Sequence, residues 1–84
     1  LFNNQLQATQ LNWIAGQPPA DEFECHSKVR YRQPDQRCRV TVEGDSAIVS
    51  FDESQRAITC GQSVVFYDGN VCLGGGVIDK VWSR

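Results

Sequence analysis

Methionine is absent from the 84 residues and histidine occurs once, at His26. A single imidazole on the polar side of an alternating segment, with no Ser, Cys or Asp companions arranged about it, speaks against a relay of the Ser-His-Asp type, and no residue is assigned a catalytic role. Long apolar runs are missing too. None approaches the roughly 18 residues of a membrane-spanning helix, and no basic stretch leads into an apolar one, so no membrane partner is expected. Closely paired cysteines are likewise lacking. Cys25, Cys38, Cys60 and Cys72 stand twelve or more residues apart, whereas structural zinc sites draw on close pairs, so no metal is assigned. In a secreted chain four cysteines would imply two disulfides. Without a signal peptide the expectation is reduced thiols, several buried like small apolar side chains. The chain starts at Leu1 with no initiator methionine, and we expect it to be the end of a longer polypeptide.

A surplus of charge of either sign is also absent. Eight Lys and Arg against ten Asp and Glu give a net charge of −2, which excludes a domain that holds nucleic acid by bulk charge. The distribution is uneven, however: Lys28, Arg30, Arg32, Arg37 and Arg39 lie within twelve residues whose sole anion is Asp35. On two adjacent strands these side chains would form a small cationic face able to bind phosphates. The competing expectation is that they pair with Glu24, Glu43 or other carboxylates on a solvated strand.

No window carries a helical period of 3.6 with caps; periods of two dominate. Residues 1–10 are polar and weakly patterned, and read as a lead-in to the domain. Leu11, Trp13 and Ile14 form a short apolar strand that ends before Pro18 and Pro19. Alternation from Phe23 to Arg32 predicts a strand with Phe23, Cys25, Ser27, Val29 and Tyr31 on one side and Lys28, Arg30 and Arg32 on the other. Gln33–Gln36 reads as a turn, Cys38–Val42 as the next strand, Gly44-Asp45 as its turn, and Ala47–Phe51 as a fourth strand closed by residues 52–55. Val64–Tyr67 and Asn70–Leu73 flank Asp68-Gly69, read as a type I′ hairpin turn, and Val77–Trp82 alternates again. Three consecutive glycines, Gly74–Gly76, lie between strands with no helix or Lys-Ser after them, so they mark a bulge or close backbone approach and not a phosphate loop. The fold class is therefore all-β, a small antiparallel barrel or sandwich of about six strands.

Four ordered strings are more specific: Val29-Arg30-Tyr31-Arg32-Gln33-Pro34-Asp35; Val49-Ser50-Phe51-Asp52-Glu53; Gly61-Gln62-Ser63 through Asp68-Gly69; and Val71-Cys72-Leu73-Gly74-Gly75-Gly76-Val77-Ile78. Their order and spacing closely resemble the C-terminal part of bacterial tRNA-specific 2-thiouridylases. The resemblance implies residues 1–84 to be one C-terminal domain of a longer enzyme, a six-stranded antiparallel β-barrel similar to the second domain of elongation factor Tu. It implies a cytoplasmic parent enzyme that uses ATP with Mg to transfer sulfur to C2 of the wobble uridine in tRNAs for Lys, Glu and Gln. The partners it implies are tRNA, an upstream PP-loop catalytic domain of the same chain, and a persulfide sulfur donor protein. The PP-loop and catalytic cysteines of the family lie upstream, so none of the four cysteines here inherits a role in catalysis. The family's tRNA-contacting residues match Arg30, Tyr31 and Gln62. Chemically these suit RNA: a guanidinium forks onto phosphate, a phenol ring stacks on an exposed base, and an amide both donates and accepts. The alternation sets Arg30 and Tyr31 on opposite faces, so both reach RNA only at a strand end, bulge or rim. Two residues depart from the family pattern, Cys60 and Arg37, each where proline is common. The alternative expectation is a docking or lid module that packs on a catalytic domain or sulfur donor without touching RNA.

Overall fold

The computed structural model describes all residues, 1–84. Six strands run in chain order: β1 (Phe2–Trp13), β2 (Glu22–Lys28), β3 (Gln36–Glu43), β4 (Ser46–Arg56), β5 (Ser63–Asp68) and β6 (Val71–Trp82). They close into a barrel in the order β1-β4-β3-β2-β5-β6, with every neighbouring pair antiparallel. β2, β3 and β4 form a meander, β5 and β6 a hairpin, and β1 seals the gap by pairing with both β4 and β6. Closure leaves no open edge, and the all-β barrel expected from the sequence is the observed architecture.

Period-two alternation explains most of the core. Cys25 and Ser27 of β2, Cys38 and Val40 of β3, Ala47, Val49 and Phe51 of β4, and Val64 and Phe66 of β5 all turn inward and are buried. Leu6, Ala8 and Ile78 come from the sealing strands. Trp13 stacks on Phe66 at a centroid distance of 5.5 Å and meets Phe23 edge-on at 5.9 Å, a cluster of offset and T-shaped contacts.

Four expectations are corrected. Residues 1–10 are not a lead-in, because β1 takes in Phe2–Trp13. Its alternation is broken by register shifts at Asn3/Gln5, Gln7/Ala8 and Thr9/Asn12, so buried Gln5 and Leu6 are adjacent in sequence. β2 ends at Lys28, short of Arg32: Val29 remains buried, and the chain then turns, with Gln33 N donating to Arg30 O at 3.3 Å. β4 runs on to Arg56, and the expected turn at residues 52–55 is strand, with Asn3 and Phe2 opposite Gln55 and Arg56. The last hairpin pairs Asp68 with Val71, so its two-residue turn is Gly69-Asn70. Only Gly69 has a positive φ, +58°. That is the pattern of a type II′ turn, and glycine fits its first central position.

The three glycines, expected between two strands, lie inside the continuous strand β6, and they behave as the close-approach positions that were also expected. A Cβ on Gly74 would run into the Asn12 carbonyl, one on Gly75 into the Val64 carbonyl, and one on Gly76 would lie 2.7 Å from Thr9 O. β6 is thus pressed against the backbones of both β1 and β5, and only hydrogen fits there.

Candidate functional site

β2 and β5 are paired only from His26 opposite Tyr67 to Lys28 opposite Val65. Past Lys28 the first chain swings into the turn at residues 29–33 while β5 extends back to Ser63, and the two part company. The gap on the outer surface is a cleft of about 390 Å³ lined by Lys28, Val29, Arg30, Tyr31, Gln62, Ser63, Val65 and Tyr67. The structure thus brings together Arg30, Tyr31 and Gln62. The conflict over opposite faces dissolves because both members of the Arg-Tyr pair lie beyond the end of β2.

Each wall has a support. Gln33 holds the turn from inside: its Oε1 accepts from Val29 N at 3.2 Å and its Nε2 donates to Gln55 Oε1 at 2.7 Å. Gln55, 3% exposed, passes the chain of amides on to Gln36 Oε1 and Glu53 O at 3.1 and 2.9 Å. Arg30 Nη2 donates to Arg56 O at 2.7 Å and to Ala57 O at 2.8 Å, clasping the β4–β5 connection at Ala57, whose φ is +54°. Its other guanidinium N–H groups stay available. Gln62 Oε1 accepts from Thr59 N at 3.1 Å, which aims its Nε2 away as a donor. Tyr31 is 91% exposed, an aromatic side chain left in water with no packing role. Cys60, one of the two departures from the family pattern, donates to Asp79 O at 3.2 Å and so pins the segment leading to Gln62.

Of the two expectations for the basic run, the wider cationic face does not form and pairing with carboxylates does. Arg37 pairs with Glu24 and Asp52, and Arg39 with Glu22 and Glu24, a ladder of opposite charges across neighbouring strands. Lys28 Nζ lies 3.5 Å from Asp35. Arg30 and Arg32 have no carboxylate within ion-pair distance. The cleft is lined by two cations, Lys28 and Arg30, and by no carboxylate. A larger depression of about 520 Å³ near Gly16 and Gly44 includes Asp21 and Asp45 and no cation, which disfavours an anion there.

Ser63 and Tyr67 are additions to the residues that sequence reasoning singled out for the site, and of the remaining cations in the run Lys28 belongs to the lining while Arg32 does not. Lys28 was visible as one of a run of cations. Tyr67 had no local signal, because only the β2–β5 pairing brings it to Lys28, whose Nζ lies 5.9 Å from its ring centroid.

The cysteines offer no reactive centre at the cleft. Cys60 and Cys72 are exposed, while Cys25 and Cys38 are buried and unbridged, face to face in register with Sγ atoms 3.6 Å apart. Hydrogen bonding to Cys38, with burial, pushes the Cys25 thiol far above its ordinary value. Cys38 is shifted down by the hydrogen bonds from Cys25 and Ser27, against the effect of burial. The glycine run is filled by neighbouring backbone and offers no cradle for a phosphate.

Residues 3–78 match the family described as the Aminomethyltransferase beta-barrel domain. The chain belongs to that family. It is also similar to proteins named tRNA-specific 2-thiouridylase MnmA: 57% identical to that of Marinobacter nauticus over 82 residues, covering 98% of this chain and 21% of the relative. To the protein of the same name from Francisella philomiragia it is 63% identical over 79 residues, covering 93% of this chain and 22% of the relative. The Francisella tularensis subsp. novicida protein gives 62% over 79 residues with the same coverage. The resemblance to tRNA 2-thiouridylases drawn from four short strings thus extends over nearly the whole barrel, and the chain spans about a fifth of the length of these relatives.

Proposed function

We propose that this barrel is the C-terminal tRNA-contacting domain of a cytoplasmic tRNA 2-thiouridylase, and that the cleft between β2 and β5 is its contact surface. The supporting observation is the convergence of Arg30, Tyr31 and Gln62 on one cleft that also holds Lys28 and has no carboxylate lining. Its part in the reaction is to grip and orient tRNA. The ATP-dependent transfer of sulfur to C2 of the wobble uridine, in tRNAs for Lys, Glu and Gln, falls to an upstream PP-loop domain fed by a persulfide donor protein.

A second reading has an observation of its own. Ile14 and Val71 are 67% and 63% exposed, and Ile14, Pro18, Pro19 and Leu73 line an apolar groove of about 360 Å³, which suits a domain that docks on a protein. Salt separates the two readings, since only phosphate contacts release counterions. Affinity for unmodified tRNA, followed by fluorescence anisotropy across a salt series, is expected to fall with a slope that Arg30→Ala makes shallower by about one unit. Identical slopes and affinities for the two proteins would remove Arg30 from the contact.

A further inference from the structure

Lys28 and Tyr67 bear on what kind of nucleic acid the cleft takes, an inference that rests on its reading as an RNA contact. Lys28 leaves the outer face of β2 opposite Val65, so Tyr67, two residues along β5, is its diagonal neighbour on that face. At 5.9 Å from the ring centroid the ammonium sits near the outer limit of cation–π range, and its ion pair with Asp35 at 3.5 Å is partly exposed to solvent, a weak contact that a phosphate can displace. Two tyrosines from separate segments, exposed Tyr31 and half-buried Tyr67, line the same cleft. Gln62 Nε2 and the exposed Ser63 hydroxyl supply hydrogen-bonding groups beside them.

A double helix has no use for such a lining. Its bases are stacked and paired, and it presents phosphates along a track that calls for a row of available cations. Here Arg37 and Arg39 are tied into the carboxylate ladder, and the cleft itself offers only Lys28 and Arg30. Aromatic faces gain from RNA only where a base is unstacked. The cleft, at about 390 Å³, has the capacity of a small-molecule site. We propose that it takes one unpaired nucleotide of an RNA loop, with the base against the Tyr67 ring and the adjoining phosphate on Lys28.

The test compares an RNA stem-loop with a blunt duplex of the same stem sequence, each titrated with the 84-residue chain at moderate salt. The stem-loop is expected to bind at least about tenfold tighter than the duplex, and Tyr67→Leu to lose roughly tenfold on the stem-loop alone, as loss of one stacked base predicts. Tyr67→Phe keeps the ring and is expected to keep the affinity. Lys28→Gln is expected to lower the stem-loop salt slope by about one unit. Equal affinity for both probes, lowered alike by Arg30→Ala, overturns the unpaired-nucleotide inference and leaves the broader RNA reading standing. No binding of either probe removes both. Should Tyr67→Leu fail to fold, the probe ratio of the unaltered chain and the Lys28→Gln slope decide the matter.

Discussion

At the scale of single residues, Arg30 carries two loads. One terminal nitrogen clasps the carbonyls of Arg56 and Ala57, and the rest of the guanidinium faces the cleft. Arg30→Ala is therefore expected to lower stability by about 1 kcal/mol in urea denaturation as well as to weaken tRNA binding; a change in binding with no change in stability would show the clasp to be idle. Arg30→Lys keeps the charge but loses the fork, so it recovers the salt slope better than the stability. Arg30, Tyr31 and Gln62 were legible through motif resemblance, while the alternation misplaced two of them, because it could not register that β2 stops at Lys28. The buried thiols give a pH prediction. The unfolded Cys25 ionises around the ordinary thiol value of 9.0, whereas the folded one, shifted upward, holds its proton. Its contribution is thus fully present below that value and declines as pH rises above it. The downward-shifted Cys38 adds no further slope there. Thermal midpoints are expected to drop above pH 9.0 and to drop less steeply in Cys25→Ala; parallel curves would contradict the assignment.

Among the elements, β6 is the most constrained by backbone. Gly75 packs its hydrogens on the Val64 carbonyl of β5, so Gly75→Ala is expected to destabilise the barrel by about 3 kcal/mol or to prevent the β5–β6 hairpin from closing, as judged by urea midpoint and amide protection. A loss below about 0.5 kcal/mol would mean that the strands can move apart at little cost. That glycine run was legible as a close approach because Gly inside an alternating strand has few other uses. The hairpin was legible too, though one residue out: Asp68-Gly69 promised a turn, but Asp68 pairs with Val71 and Gly69, with its positive φ, takes the first central position of a turn at Gly69-Asn70. The ladder of Glu22, Glu24, Arg37, Arg39 and Asp52 was the less specific of two expectations for the basic run. It could not be settled without the register of β2 against β3.

For the molecule as a whole, closure depends on β1. It is the element least visible in the sequence, since three register shifts scramble its alternation and most of its side chains are polar. Yet β1 alone joins β4 to β6. Removing residues 1–10 is expected to abolish cooperative unfolding and amide dispersion, because it strips Leu6 and Ala8 from the core and exposes two strand edges at once. A truncated chain that still unfolds in one sharp transition would show that the barrel closes without it. The global claim is that this closed scaffold serves to hold a cleft where β2 and β5 diverge. The most direct test is a map of backbone amide shifts as unmodified tRNA for Glu is added to the chain at low and moderate salt. Salt-sensitive shifts centred on Lys28, Arg30, Tyr31, Gln62 and Tyr67 are expected if the cleft holds RNA. Shifts centred on Ile14, Val71 and Leu73, or none at all in a folded barrel, would contradict it.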